Sequence, residues 1–356
     1  MSPVSPFSPA RLLSVFSNTP ARQQRTSLAA AQASQSEVQC AAAAKPTSQG
    51  RRSLLSRLNF RGASKQASAC TYKPAKLYSI DRSGSSYYVA DQMRQGRPTG
   101  QQAGLINICL SMTEHEQKGQ IDRLQSYFAA RTPVRHENVM TLQSAHFKAP
   151  ATLLDGPAFE VITEASVRYP LNLLFQTPQP IESVQALIKG MASGLAHLHE
   201  NGNVHNHVQG ATVFLDCDGE NFVDATPKIG ASFEHVFELP HEAGLESERA
   251  SMVPPELCIN QTGSKPNADS WALGSLTLLL ASGKPLEYEY EGGIGPIQSF
   301  ALTEHIQLQG GKPHIPANLP RELREFVALC HLDAEHRPSA ADLLKTEFLT
   351  QPSALP

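Results

Sequence analysis

Two histidines separated by one residue, His205 and His207, stand out among the side chains that could do chemistry. On a loop, both imidazoles could face one metal ion, or one could accept a proton near pH 7. No third ligand follows at a spacing typical of a metal site. The sequence therefore favours a structural role for His205 and leaves His207 as a candidate proton acceptor.

The six cysteines are too scattered to indicate a metal knuckle or a disulfide framework. They stand at positions 40, 70, 109, 217, 258 and 330, and no two are closer than 30 residues. Zinc-binding and redox motifs place cysteines two or three positions apart. We expect free thiols in a reducing compartment.

Charge is distributed unevenly, although the total is only −3 at pH 7. Residues 1–80 contain 11 Lys and Arg and a single acid, so this stretch carries +10 and the remainder −13. Residues 1–73 are also rich in Ser, Ala, Gln and Pro, which bury too little apolar area to offset the entropy of folding. The pattern predicts a disordered leader: a transit peptide, an effector export signal or an unstructured tail.

Length and composition exclude several classes of protein. The 356 residues allow one large domain or two small ones. The near-neutral total does not indicate a nucleic-acid-binding protein. No apolar run approaches the ~20 residues that a membrane-spanning helix needs.

The elements that must position the histidines are a long helix before them and two short strands after them. Apolar residues recur at steps of three and four from Val184 to Leu198, which predicts a helix that ends at Asn201-Gly202. The other predicted helices are 113–131, 269–281 and 320–332. The predicted strands are 105–110, 159–162, 212–215 and 221–223. The predicted core includes Val161, Leu187, Met191, Leu195, Leu215, Trp271, Leu273 and Phe326.

Five motifs in the second half resemble, in order, those of the large lobe of eukaryotic-type protein kinases. They are Gly194–His205 before the catalytic loop, Pro254-Pro255-Glu256 at the end of the activation segment, and then Ala268–Gly274, His336–Ala340 and Leu343–Leu349. The resemblance covers about 77–349 and implies an α+β, bilobal protein kinase-like fold with a small β-rich N-lobe and a larger α-helical C-lobe. The implied domains are a leader at 1–73, lobes at about 74–165 and 166–350, and a tail at 351–356.

The resemblance also implies structural roles for three charged residues. Glu256 and Arg337 would form a buried ion pair that anchors the activation segment, and losing either partner would leave a buried charge. Asp269 would accept backbone N–H bonds from the catalytic loop.

The groups that carry phosphate transfer in this family are replaced. The catalytic-loop pattern aligns on residues 205–212, which puts His207 at the catalytic Asp and Thr212 at the magnesium-binding Asn. The third-strand lysine aligns with Cys109, and Glu164 is a further nucleotide-pocket position. Gly84 is the one glycine kept in the glycine-rich loop, where Tyr87 would crowd the phosphates.

Two positions stay open at this stage. The magnesium-binding triplet is either Ala231-Ser232-Phe233, favoured because Lys228-Ile229 is the better strand, or a segment that supplies Asp224 as metal ligand. The helix partner of the missing lysine is either Glu116 or Asp122.

These replacements imply a catalytically impaired pseudokinase that acts as a scaffold or decoy for another kinase or signalling protein. We expect no cofactor, with ATP and magnesium as the alternative. The leader favours a type III-secreted bacterial effector in the host cytoplasm, with a plastid-targeted or cytoplasmic pseudokinase as alternatives. The second hypothesis is an atypical active phosphotransferase or nucleotidyltransferase that uses Asp224 and His207.

Overall fold

A computed structural model of the chain describes the region that carries the predicted lobes. The described residues are 70–80, 85–148, 156–165, 169–217, 222, 224–233, 250–259, 265–290, 293–296, 305–306 and 310–351. They belong to one unit of the chain, Phe60–Pro356. The predicted leader lies outside the described residues except for 70–73, and the predicted tail lies outside them except for Gln351.

The N-terminal part is a five-stranded antiparallel sheet with the order β1-β2-β3-β5-β4. Its elements are β1 (Thr71–Ile80), β2 (Ser86–Arg94), β3 (Arg97–Cys109), α1 (Glu114–Arg131), β4 (Leu142–Lys148) and β5 (Ala158–Thr163). Gln95 and Gly96 both have positive φ, the geometry that closes a two-residue hairpin between twisted strands. Since β1 begins at Thr71, the predicted domain boundary at residue 74 falls inside the first strand.

The C-terminal part is mainly helical. Its elements are β6 (Tyr169–Pro170), a 3-10 turn (Leu171–Leu174), α2 (Ile181–Glu200), β7 (Val213–Asp216), β8 (Thr226–Ile229), α3 (Pro255–Ile259), α4 (Pro266–Ser282), β9 (Tyr288–Tyr290), β10 (Gly293–Gly295), α5 (Arg321–Cys330), α6 (Ala340–Leu343) and α7 (Glu347–Thr350). A β-sheet part followed by a helical part confirms the fold class expected from the sequence.

Helices α2 and α4 form the centre of the core. Helix α2 buries the face predicted from its spacing, including Val184, Leu187 and Met191. Helix α4 is buried from Ala268 to Ala281, as a helix that is apolar on nearly every side must be. The eight residues predicted as core are each at most 2% exposed.

The strands that follow the histidines differ in part from their prediction. Strand β7 pairs with β8 so that Val213 lies opposite Ile229 and Asp216 opposite Thr226. Of the strand predicted at 221–223, the structure describes only Phe222, which lies outside any strand and packs edge-on against Tyr169. Residues 221 and 223 of that predicted strand lie outside the described residues, and the strand that pairs with β7 is β8, which contains Lys228 and Ile229.

An ion pair joins α3 to the segment that precedes α6. Arg337 Nη1 lies 2.5 Å from Glu256 Oε1, and Nη2 lies 3.2 Å from Oε2. The Arg337 side chain is 1% exposed and its guanidinium lies 5.1 Å from the centre of the Trp271 ring. The pair expected from the sequence is therefore formed, and the cation–π contact ties it to α4.

Two further findings bear on sequence expectations. Cys70, Cys109, Cys217 and Cys330 are free thiols. Among the helices in the described part of the chain, none combines the length and apolar character that crossing a bilayer requires.

We predict that Arg337→Met lowers the free energy of unfolding by about 2–3 kcal/mol, because the buried guanidinium's bonds to Glu256, whose side chain is 30% exposed, and to the Leu332 and Asn267 carbonyls are all lost. The matched control is Arg321→Met, since Arg321 is 61% exposed among three glutamates and should contribute less than about 1 kcal/mol. Urea denaturation of the full chain measures both values. Equal losses in the two variants would contradict the prediction.

Candidate functional site

A buried carboxylate on α4 fixes the loop that carries the histidine pair. Asp269, 1% exposed, accepts the backbone N–H of His205 at 2.9 Å and that of Asn206 at 2.7 Å. It also accepts the Nε2–H of His199 at 2.8 Å. Asn206 has a φ of +61°, a conformation that Asn tolerates better than most residues. The contact expected of Asp269 from the sequence is formed.

The loop is closed by a hydroxyl at its far end. Thr212, 1% exposed, donates its Oγ1 hydrogen to the carbonyl of His207 at 2.6 Å, and the oxygen accepts the N–H of Gln209 at 3.2 Å. Because these bonds engage the hydroxyl, Thr212 holds the loop in shape and does not present a ligand to a metal. No group of three or more His, Cys, Asp or Glu suited to a metal ion occurs among the described residues.

The end of β8 lies beside this loop, which decides between the two candidate metal-binding segments. The N–H of Gly230 donates to the carbonyl of Thr212 at 2.8 Å, so Ala231 follows directly at the loop. Asp224 is exposed and lies beyond the opposite end of β8, whose four residues alone span about 13 Å. We therefore correct the assignment of Asp224 as metal ligand, because the residue at the loop is Ala231.

Cys109 also lies away from the loop. It is the exposed last residue of β3 and pairs with Ala158. Side chains alternate along a strand, so Cys109 lies on the opposite face from Gly104 and Ile106. Ile106 stands directly opposite Tyr87 of β2. We therefore correct the assignment of Cys109 to the lysine position. The β3 residue that stands opposite Tyr87 is Ile106.

The remaining predicted pocket positions are Gly84 and Glu164. Gly84 lies outside the described residues. The Glu164 carboxylate contacts β8 and the residue before β4. Its Oε1 lies 3.2 Å from Lys228 Nζ and accepts the N–H of Thr141 at 2.9 Å. Its side chain thus ties the end of β5 to the helical part.

Neither acid proposed on α1 faces the loop. Glu116 accepts hydrogen bonds from Ser111 and Thr113 at the start of the helix, and Asp122 is exposed. The side chain that reaches the end of β8 is instead Arg131, which is 3% exposed and donates Nη2–H to the carbonyl of Gly230 at 3.0 Å. The spacing of the sequence could have identified Arg131 as a buried residue. It continues, at steps of three and four, the row of buried residues Ile121, Leu124 and Phe128 on one face of α1.

Tyr87 fills the space between the sheet and the loop. It is 4% exposed, its ring centre lies 6.0 Å from that of Phe214 on β7, and its hydroxyl donates to the carbonyl of Ala231 at 3.3 Å. We call the space around these rings the slot. Its lining residues are Tyr87, Tyr88, Gly104, Leu105, Ile106, Met140, Thr163 and Phe214. The cavity left in it is about 10 Å³, room for at most one water molecule.

A glycine lets β3 close the slot from the side. A Cβ on Gly104 would lie 2.0 Å from Thr163 Oγ1 and 3.1 Å from the Glu164 carbonyl. Only a residue without a side chain allows this approach. A larger groove of about 310 Å³ exists on α5, but Ile315, Arg321, Arg324, Glu325 and Ala328 line it and none of them belongs to the slot.

Comparison with known proteins identifies the architecture. Residues 109–349 match the family model described as protein kinase domain. The chain is 27% identical over 247 residues to mitogen-activated protein kinase kinase kinase 3 of Arabidopsis thaliana. The aligned region covers 67% of this chain and 35% of that protein. The same organism's mitogen-activated protein kinase kinase kinase YODA is 25% identical, over 70% of this chain and 27% of that protein.

A third relative extends the comparison beyond plants. Mitogen-activated protein kinase kinase kinase A of Dictyostelium discoideum is 27% identical over 173 residues, which cover 47% of this chain and 17% of that protein. The chain thus spans about a third or less of the length of these relatives. The match supports the family and leaves the activity of this chain to be argued from its own residues.

We predict that stability falls as the pH drops from 7.5 to 5 because His205 is held neutral. Burial, helped by the nearby Arg131 and His207 and opposed by Asp269, lowers the pKa of His205 to about 3. Between pH 6.5 and about 3 the unfolded chain binds this proton and the folded chain does not. The stability is therefore complete above pH 6.5 and lost below it, by about 2 kcal/mol at pH 5.

Urea denaturation of the full chain at pH 7.5 and pH 5 measures this loss. His205→Asn removes the titrating group, so the drop between the two pH values should shrink even if the variant is less stable at both. His115→Asn, on the exposed side of α1, controls for the removal of an imidazole. An unchanged pH difference in His205→Asn would refute the account of this residue.

Proposed function

The chain belongs to the protein kinase domain family, and from that premise we propose that it binds another signalling protein without transferring phosphate. The observation that carries the proposal is the filled slot. Kinases hold ATP beneath the glycine-rich loop and its strands. In this chain the Tyr87 ring lies beneath β2, against Phe214, and leaves a cavity of about 10 Å³.

The charges around the slot support the same proposal. Phosphoryl transfer depends on positioned cations, metal ions and a base that stabilise the charge on the phosphoryl group. None of the eight residues that line the slot is charged. At the loop, His207, Thr212 and Ala231 stand where the family pattern has the base and the two metal ligands. The residues present do not fit ATP with magnesium, and several kcal/mol of transition-state stabilisation would be missing.

The fold is kept although these groups are replaced. Asp269 still holds the loop, and Arg337 still holds α3. A protein surface of kinase shape is therefore maintained without the chemistry, as a scaffold or a decoy requires. The relatives are named mitogen-activated protein kinase kinase kinases. The partner in our proposal is accordingly a kinase or another signalling protein.

The second hypothesis, an atypical transferase that uses Asp224 and His207, has no observation in its favour. Asp224 lies past the far end of β8, and Thr212, at the other metal-ligand position, is engaged with the backbone. Two groups that should share one substrate are therefore separated by the length of a strand.

Delivery into a host cell remains part of the proposal and is supported by the composition of residues 1–73 alone. The +10 charge of residues 1–80 and their Ser, Ala, Gln and Pro content suit an export or targeting segment. Identical localisation of the full chain and of a chain that begins at Tyr72 would refute it.

We predict that ATP, with or without magnesium, does not change the melting temperature of the full chain, since the slot has no room for a base. A ligand present at 100 times its Kd would stabilise the protein by about 2.7 kcal/mol and raise the melting temperature by several degrees. An active kinase measured in parallel controls for the assay. A magnesium-dependent rise in this chain, or transfer of labelled phosphate from ATP, would overturn the proposed function.

A further inference from the structure

In the slot, the Tyr87 side chain of the protein itself occupies the place where a bound ligand would lie. The Tyr87 ring packs against Phe214 of β7, with an angle of 38° between the two aromatic planes, and Ile106 of β3 stands opposite Tyr87 in the sheet. Met140 and Thr163 complete the walls. An aromatic ring enclosed by mostly apolar side chains is the arrangement in which a protein buries an aromatic ligand.

The hydroxyl of Tyr87 also makes the kind of hydrogen bond that the polar group of a bound ligand would make. Its hydroxyl donates to the carbonyl of Ala231, 144 residues away in the sequence. Tyr87 belongs to the sheet of the N-terminal part, whereas Ala231 follows β8 of the helical part. One side chain therefore links the two parts across the slot, by ring packing and by one hydrogen bond.

The carbonyls at this end of β8 are held from three directions. Arg131 of α1 and the Nε2–H of His205 both donate to the Gly230 carbonyl, at 3.0 and 3.1 Å. Tyr87 donates to the next carbonyl along the chain. Of these three contacts, only the one from Tyr87 passes through the slot. Removing Tyr87 would thus open the slot and leave the other two contacts in place.

We propose that Tyr87 is a tethered occupant of the slot, and that removing its ring creates a binding site for a planar aromatic molecule with a hydrogen-bond donor. The inference rests on the proposed function, because it takes the slot of the native chain to be filled. Engineered apolar cavities of about 150 Å³ bind benzene, so a cavity left by a phenol ring is of a size to bind a small aromatic molecule. The chemical class that fits is a phenol, for which the Ala231 carbonyl is the acceptor.

The test is chemical rescue of Tyr87→Ala in the full chain, with p-cresol as the probe because it reproduces the missing side chain. The variant should melt at a lower temperature than the native chain. Added p-cresol should then raise the melting temperature by about 2–4 °C in a concentration-dependent manner. The native chain should show no rise, because its own ring occupies the slot. Adenosine, added separately, reports whether the opened slot also takes two fused rings.

The matched control is Tyr127→Ala. Tyr127 packs edge-on against Phe233 outside the slot, so its removal deletes a tyrosine without opening the slot. A rise with p-cresol in Tyr87→Ala alone supports the proposal, whether or not adenosine gives one. No rise in a folded Tyr87→Ala, or equal rises in all three proteins, would overturn it. Phosphate transfer by the native chain is a separate readout, which refutes the proposed function and not the rescue.

A second variant keeps the proposal testable if Tyr87→Ala does not fold. Tyr87→Phe keeps the ring in the slot and removes the bond to Ala231. Hydrogen exchange of the amides at 230–233 should become several-fold faster in this variant, and p-cresol should have no effect on its melting temperature. Exchange at the native rate would show that the hydroxyl does not link the two parts.

Discussion

The buried carboxylate of Asp269 is the interaction on which the rest of the site depends. It lies on α4, at the centre of the core, and binds two successive N–H groups of the loop at 205–206. The loop in turn leads through Thr212 into β7, and β7 holds β8 in register. The side of the slot formed by Phe214 of β7 and the end of β8 is therefore placed, through this chain of contacts, by one buried carboxylate that would be left without donors if the loop moved.

The same framework accounts for our proposal that the chain keeps a kinase fold without transferring phosphate. The residues that hold backbone, Asp269, Glu256 and Arg337, retain the types that their contacts require. The residues that would touch phosphate or metal are replaced by groups that bond within the protein. Thr212 closes its loop, and Tyr87 fills the slot. In our proposal, the side chains at these positions make internal contacts in place of contacts to phosphate or metal.

The main helix, the core and the contacts that hold the backbone could be predicted from the sequence, whereas the packing inside the slot could not. Helix α2 and the core residues follow from apolar spacing, and the Glu256–Arg337 pair was implied by the resemblance to protein kinases. Strand β3 is apolar and buried on both faces at 103–106, so alternation could not show that Ile106, and not Cys109, stands opposite Tyr87. The sequence indicated that Tyr87 crowds the loop, but its bond to Ala231 depends on a contact 144 residues away.

The most direct test of the account is an experimental structure of the full chain grown with saturating ATP and magnesium. The account predicts the Tyr87 ring against Phe214, its hydroxyl on the Ala231 carbonyl, and no nucleotide in the slot. A purine between β3 and Phe214, with Tyr87 turned out, would contradict it. That result would show that the slot opens to a ligand in the native chain and that Tyr87 is a gate rather than a permanent occupant.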